Sequence, residues 1–291
     1  MKIQFTKMSG AGNDFVVVDN RSGVVTNPNE FAIAACNRKL GIGADGLLLV
    51  EQSSKADFTM QYYNADGSSA GMCGNGGRCI AKFAYDNGIV TSDRFAFEAF
   101  NYIYEVARHA PTIYELKMKN PFGAILNQSV NINGNILKAN YLNTGTDHSV
   151  IFLDENPELG SLQIADVFNI GRMIRYHQVY KPMGTNVNFV SKIENKKIEI
   201  RTYERGVEDE TLACGTGSVA CALLSAIKFG WQSPVEVKVK GGDTLEINFN
   251  TPLINENTIE RYNKDYVNLI TGVKLKGPAE IIFTGEIEFI V

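Results

Sequence analysis

Apolar residues near the start of the chain come in short runs closed by polar turns. Phe15-Val16-Val17-Val18-Asp19 ends at Asn20-Arg21-Ser22-Gly23, and another run fills 47–50. Such runs predict strands, whereas residues 30–40 carry their apolar side chains at helical spacing. Further strand-like runs at 58–63, 102–107, 113–118, 150–153 and 197–203 are bounded by Asn, Gly or Pro. Two stretches break the pattern. Cys79-Ile80-Ala81-Lys82-Phe83-Ala84-Tyr85 and Val219-Ala220-Cys221-Ala222-Leu223-Leu224-Ser225-Ala226-Ile227 are apolar around most of a helical circumference. That predicts two buried helices, each wrapped by the strands of its own half. The chain reads as α/β (α+β), with mixed sheets and no linker or low-complexity tract.

The two apolar helices sit in segments that read as copies of each other. Tyr63-Asn64-Ala65-Asp66-Gly67, Cys73-Gly74-Asn75-Gly76-Gly77 and Gly88 recur as Tyr203-Glu204-Arg205-Gly206, Cys214-Gly215-Thr216-Gly217-Ser218 and Gly230. The tyrosines are 140 positions apart, the cysteines 141 and the closing glycines 142. An offset near half of 291 residues predicts two pseudo-symmetric domains, each a mixed sheet rolled around one buried helix. Their expected bounds are 1–119 plus 277–291, and 120–276, with a boundary at Asn120-Pro121 and a pair of strands in 277–291 completing the first.

Composition excludes several classes. With 28 basic and 32 acidic side chains, and no long basic run, the chain lacks a nucleic-acid footprint. No stretch has the ~20 apolar residues of a membrane span, and the start has no signal-peptide core, so the expectation is a cytoplasmic protein. Five cysteines, at 36, 73, 79, 214 and 221, are an odd set in a long chain, which argues for reduced thiols.

The duplicated cysteines carry the chemistry. A helix N-terminus exposes unpaired N–H groups and partial positive charge, so it favours a thiolate and also binds carboxylate. Flanking glycines let a ligand approach the backbone. Cys73 and Cys214, one per half, therefore suggest two acid/base groups across a cleft. One removes the proton of a carbon beside a carboxylate while the other returns a proton from the opposite face, with backbone donors stabilising the carbanion.

Competing readings are weaker. Cys36, Cys79 and Cys221 read as core residues. Spacings of six and seven between paired cysteines do not match a zinc site, and none of the three histidines has a partner at metal spacing, so no metal is expected. His109 and His177 read as surface residues. Gly41-Ile42-Gly43-Ala44-Asp45-Gly46 fits a dinucleotide fingerprint in letters, but a helix precedes and a strand follows, the reverse of what that fingerprint needs. It reads as a helix stop and turn lining the cleft.

With these residues in view, the chain resembles the diaminopimelate epimerase family over essentially its whole length. The resemblance rests on Lys7-Met8-Ser9-Gly10-Ala11-Gly12-Asn13-Asp14-Phe15, Asn64-Ala65-Asp66-Gly67-Ser68, Cys73-Gly74-Asn75-Gly76-Gly77-Arg78-Cys79 and Tyr203-Glu204-Arg205-Gly206. It extends to Glu210-Thr211-Leu212-Ala213-Cys214-Gly215-Thr216-Gly217 and Phe283-Thr284-Gly285-Glu286. It implies a cofactor-independent, homodimeric enzyme of lysine and peptidoglycan biosynthesis that interconverts LL- and meso-diaminopimelate between its two domains. Cys73 and Cys214 match the acid/base pair, and the backbone of Gly74-Asn75 and Gly215-Thr216 the carboxylate cradle. Asn13, Asn64, Asn186, Glu204 and Arg205 match substrate contacts. His148 and Glu204 match the groups that tune the thiols.

Two positions depart from the family pattern. Thr146 of Gly145-Thr146-Asp147-His148 replaces a substrate-contacting Asn, and Gly46 replaces a Gln. Two other readings stand beside the epimerase. One is a two-cysteine racemase of proline or hydroxyproline, expected to lack the Glu204-Arg205 pair; the other is a non-catalytic thiol redox switch.

Overall fold

A computed structural model describes residues 2–69, 71–251, 267 and 269–289. It divides the chain into two units, Met1–Lys117 with Gly277–Val291, and Met118–Lys276.

In the first unit a hairpin of β1 (Lys2–Gly10) and β2 (Asn13–Asp19) leads through α1 (Pro28–Cys36) to β3 (Gly46–Glu51). β4 (Phe58–Asn64) returns, and α2 (Gly74–Asp86) crosses to β5 (Arg94–Ala99), β6 (Tyr102–Ala110) and β7 (Ile113–Lys117). The second unit runs β8 (Phe122–Ile132), β9 (Asn135–Asn143) and β10 (Asp147–Phe152), then α3 (Val167–Arg175). β11 (Asn186–Glu194), β12 (Lys197–Glu204) and short β13 (Asp209–Thr211) precede α4 (Gly215–Phe229), followed by β14 (Val235–Lys238), β15 (Thr244–Asn250) and β16 (Thr271–Pro278). The chain then returns to the first unit as β17 (Glu280–Glu288), antiparallel to β1.

The duplication read from two motifs extends through both sheets. From β17–β1 to β6–β7 the pairings run antiparallel, antiparallel, parallel, antiparallel, parallel, antiparallel, antiparallel. From β8–β9 to β15–β16, omitting the side hairpin of β13, the senses repeat in the same order. Parallel neighbours need a crossover long enough for a helix, and each unit spends its two parallel pairings on its two α-helices.

Within each unit the two helices differ in burial. α2 is buried from Gly74 through Ala84 and packs on β1, β2, β3 and β7; α4 is buried from Gly215 through Ile227 and packs on strands from β9 to β15. Each sheet thus rolls around its own central helix. α1 instead buries only Phe31, Ala32, Ala35 and Cys36, in a core with Val16, Val18, Leu47 and Leu49. β2 and β3 therefore face a helix on either side, which explains their unbroken apolar runs. Each buried Val or Leu contributes about 1.5–3 kcal/mol.

Two expectations are corrected. The helical run of 30–40 stops at Cys36, because the Asn37 side-chain oxygen accepts the N–H groups of Lys39 and Leu40 at 2.9 Å in competition with the helix. Leu40, which the helical spacing placed on the apolar face, is 91% exposed. The pair of strands expected in 277–291 is one strand, β17. Its predecessor β16 begins at Thr271 and pairs with β15.

Candidate active site

In the first unit, strand register gathers the expected residues. Phe15 pairs with Gly46, and Gly46 with Asn64. Asn13, Asp45 and Asn64 thus lie at one end of the sheet, the end from which the chain leaves β4 for α2. Cys73 is the N-cap of α2, with extended backbone (φ −110, ψ 121), and its sulfur accepts the Gly76 N–H at 3.5 Å. The Cys73 S–H donates to Asn13 Oδ1 at 3.5 Å, and the Asn13 amide nitrogen donates to the Asp45 carboxylate. Asn64 donates to Ser68 Oγ at 3.0 Å.

The first turn of α2 is tightly held. Asn75 is fully buried, and its Oδ1 accepts from Arg78 at 3.1 Å; Arg78, also fully buried, donates to the Gly74 carbonyl at 3.2 Å and the Pro278 carbonyl at 3.0 Å. Gly10 has no side chain because a Cβ there would meet the Asn75 carbonyl at 2.8 Å.

A charged cluster that sequence reading missed braces this end of the sheet. Buried Lys7 pairs with Asp14 at 2.6 Å and donates to the Gly43 carbonyl, while Arg38 reaches Asp14 at 2.8 Å and Asp45 at 2.7 Å. Burial by itself would raise the Asp14 carboxyl, but the hydrogen bonds and charges of Arg38 and Lys7 prevail and hold it below the usual carboxylate range. The only signal in the sequence was Lys7 and Asp14 on facing strands of one hairpin. The loop at 41–46 is a helix stop and turn, with Gly43 and Ala44 donating to the carbonyls of Ala35 and Cys36 at 2.9 and 3.0 Å. Gly46 has a steric cause: a Cβ would lie 2.5 Å from the Tyr62 ring and 2.6 Å from the Tyr63 carbonyl. A glutamine has no room there.

In the second unit His148 pairs with Asn186 and Val187 with Tyr203, which brings Asp147, Asn186 and Glu204 to the corresponding end. Cys214 is the N-cap of α4, again extended (φ −121, ψ 111). Its sulfur lies 3.7 Å from Thr216 Oγ1, which is 3.0 Å from His148 Nε2 and 3.1 Å from Thr146 Oγ1; Thr146 is itself 2.9 Å from His148 Nε2. Complete burial drives His148 down to a pKa of about 3, with nearby Asp147 opposing the shift and Arg205 adding to it. The imidazole is neutral at physiological pH. Its Nδ1 lies 3.3 Å from the Asn188 amide nitrogen, which also donates to the Ser149 carbonyl at 3.0 Å.

The polar residues around this network are engaged with each other. Asn186 donates to the Asp147 carbonyl and accepts the Arg205 N–H, both at 2.8 Å, and is 5% exposed. Arg205 pairs with Asp147 at 3.0 Å, and Asp147 also accepts from Tyr141 and from Asn143. Glu204 accepts the Thr211 hydroxyl at 2.9 Å. Asp147, which holds Arg205, and Asn188, which lies against His148, were not among the expected site residues, although Asp147 lies in the segment Gly145-Thr146-Asp147-His148.

The remaining thiols are different in kind. Burial pushes Cys36 and Cys79 up to about 12 and Cys221 higher still. Such thiols are inert core groups. Among the described residues no His, Cys, Asp or Glu cluster gathers to hold a metal, and no helix is long and apolar enough to cross a membrane.

Comparison with known proteins matches residues 5–107 and 140–260 to the family described as diaminopimelate epimerase. The diaminopimelate epimerase of Flavobacterium psychrophilum is 40% identical over 279 residues, covering 95% of this chain and 97% of that one. That of Chlorobaculum tepidum is 40% identical over 283 residues, covering 96% and 99%. Among solved structures, a phenazine biosynthesis protein of the PhzF family from Bacillus anthracis aligns with a TM-score of 0.71 at 12% identity, covering 99% of this chain and all of that one. A probable proline racemase from Agrobacterium radiobacter aligns with a TM-score of 0.71 at 14% identity, covering 99% and 93%. At such identities these two similarities establish the fold.

Proposed function

The chain belongs to the diaminopimelate epimerase family, and on that premise we propose that it converts LL-2,6-diaminopimelate to meso-diaminopimelate with Cys73 and Cys214 as the two bases. The observation that carries this reading is the duplication: each unit ends one strand and caps its buried helix with a cysteine flanked by glycine. One sulfur, as thiolate, takes the α-proton. The other, as thiol, returns its own proton to the opposite face, so the pair ends with charge and proton exchanged. Backbone donors at Gly74-Asn75 and Gly215-Thr216 hold the reacting carboxylate, where the helix N-termini favour the negative charge that develops. No organic cofactor enters this scheme.

Recognition of the non-reacting end falls to Arg205 and Glu204, which offer a guanidinium to the distal carboxylate and a carboxylate to the distal ammonium. Asn13, Asn64 and Asn186 orient the substrate, and His148 and Glu204 tune the thiols. We take the two catalytic domains to be 1–119 with 277–291, and 120–276, a reading supported by the two compact units, whose division falls two residues earlier, after Lys117. The enzyme works in the cytoplasm, a reading supported by its five cysteines, an odd set in a long chain that suits reduced thiols. It works as a homodimer, a reading supported by β17, which is antiparallel to β1 and presents Ile281, Ile282 and Phe283 at 41–53% exposure.

The deciding experiment incubates purified protein with LL-diaminopimelate in D2O without pyridoxal phosphate and follows proton NMR. Loss of the α-proton signal with formation of the meso isomer is expected. Equal turnover of lysine or proline would overturn the substrate, and absence of any exchange would leave the thiol-switch reading in its place.

A further inference from the structure

Arg205 is anchored by one corner of its guanidinium. Strands β10, β11 and β12 lie side by side, and their register, His148 with Asn186 and Val187 with Tyr203, puts Asp147 and Arg205 at one end of the sheet, two strands apart. Two strand spacings are about 10 Å, so the residues meet only because their side chains reach across Asn186. Asn186 ties the two backbones, donating to the Asp147 carbonyl and accepting the Arg205 N–H, both at 2.8 Å. The side chains then pair directly, with Arg205 Nη1 donating to Asp147 Oδ2 at 3.0 Å. The same Nη1 faces the carbonyls of Gly184 at 3.4 Å and Met183 at 3.5 Å. Among the described residues, Nη2 and Nε make no hydrogen bond.

Asp147 is held so that it keeps its charge. Its Oδ1 accepts the Tyr141 hydroxyl and, at 2.9 Å, the Asn143 amide, which leaves Oδ2 for Arg205. Burial by itself would raise the carboxyl, but these three hydrogen bonds and the guanidinium charge hold it below the usual carboxylate range. A cavity of about 320 Å³ opens beside the pair, with Tyr141, Asp147, Tyr180, Lys181, Met183 and Gly184 in its wall. Three of these residues supply the oxygens around Nη1. Without the carboxylate, only two long carbonyl contacts would keep the guanidinium out of that space. A long side chain already fixed in place has less freedom to lose when a ligand binds.

We propose that Asp147 is the positioning residue for Arg205, holding it by Nη1 so that the Nη2–Nε edge remains for the distal carboxylate of the substrate. The inference rests on the diaminopimelate reading above and adds to it a residue that acts on recognition only through Arg205. Two parallel N–H groups on that edge match the two oxygens of a carboxylate, a fit that a substrate ending in a bare methylene lacks. Asp147 occupies one corner of the fork and leaves the matching edge to the ligand.

Kinetics and arginine labelling of full-length variants test this. Asp147→Ser is expected to raise the Michaelis constant for diaminopimelate about tenfold, the effect of losing one hydrogen bond to a charged group, with kcat within about twofold of native. In an Arg205→Met background the same substitution is expected to add no further rise, whereas a general loosening of the fold would raise the constant in both backgrounds. Asp147→Asn keeps an acceptor for Nη1 without the charge, and its rise is expected to be only about threefold. Without substrate, phenylglyoxal labelling of Arg205, mapped by mass spectrometry, is expected to be about tenfold faster in Asp147→Ser and about threefold faster in Asp147→Asn, since a released guanidinium reacts more readily. An equal rise in both backgrounds, a loss confined to kcat, or unaltered labelling of Arg205 overturns the proposal. If Asp147→Ser does not fold, Asp147→Asn in both backgrounds decides it by the same readings. Labelling that responds to Asp147 in a protein that does not turn over diaminopimelate would retire the substrate reading alone.

Discussion

Asn188 Oδ1 occupies the space where a side chain on Gly217 would begin, 2.4 Å from the ideal Cβ position. Helix α4 can approach β11 this closely only because its third residue is glycine, and Asn188 in turn orients His148.

Gly217→Ala is therefore expected to destabilise the protein by about 1–3 kcal/mol, the range for overpacking a filled core. Asn188 cannot swing aside without giving up its bonds to Ser149 and Thr202. Denaturant unfolding measures the loss. A variant as stable as the native protein would show that the helix end has slack.

His148 gives stability a pH dependence with a definite sign. Its folded pKa is about 3 against 6.5 for a free imidazole, so between these values the unfolded chain binds the extra proton. Stability is complete above pH 6.5 and falls as the pH drops toward 3. The carboxyls of Asp14 and Asp147, lowered in the fold, begin to lose their contribution only near 3.8. His148→Gln is expected to flatten the limb from pH 6.5 to about 4, which carries a few kcal/mol in the native protein. An unchanged slope in urea titrations would place the dependence elsewhere.

Arg205→Met removes the guanidinium from the half-buried pair with Asp147. Binding of diaminopimelate is expected to weaken by about 2–5 kcal/mol, the range for leaving a buried charge unpartnered. The Michaelis constant reports it, and an unchanged value would remove Arg205 from substrate recognition.

Cys36→Ala is expected to leave epimerisation within about twofold of native, whereas Cys73→Ala and Cys214→Ala each lower it roughly 10²–10⁴-fold, the usual contribution of a general acid or base. In the native protein Cys36 is expected to stay unlabelled by iodoacetamide, since burial pushes its thiol up to about 12. Substantial turnover by either active-site alanine variant would count against the two-base assignment.

Phe283→Asp places a charge on β17 beside Phe5, whose ring lies edge-on at 5.9 Å. A monomer in sedimentation is expected. An intact dimer would move the interface to another face.

The sequence by itself determined the duplication, the two buried helices and the two helix-capping cysteines. These are local or periodic properties: a run apolar on all sides is buried wherever it folds, and glycine beside a thiol at a helix mouth is visible in adjacent letters. The stop at Cys36 was less legible, because Asn37 ends the helix through its own side chain, a competition that apolar spacing does not register. Tertiary structure alone decided what surrounds the thiols. Asp45 holds Asn13 from 32 positions away, and Asn188 lies against His148 from 40 away. A side-chain hydrogen bond depends on angles and distances set by strand register, and register follows from how the whole sheet pairs rather than from any one segment. Gly46 and Gly217 show the same division. Their identity is plain in the sequence, but the atoms that forbid a side chain, from Tyr62 and Asn188, arrive on other strands.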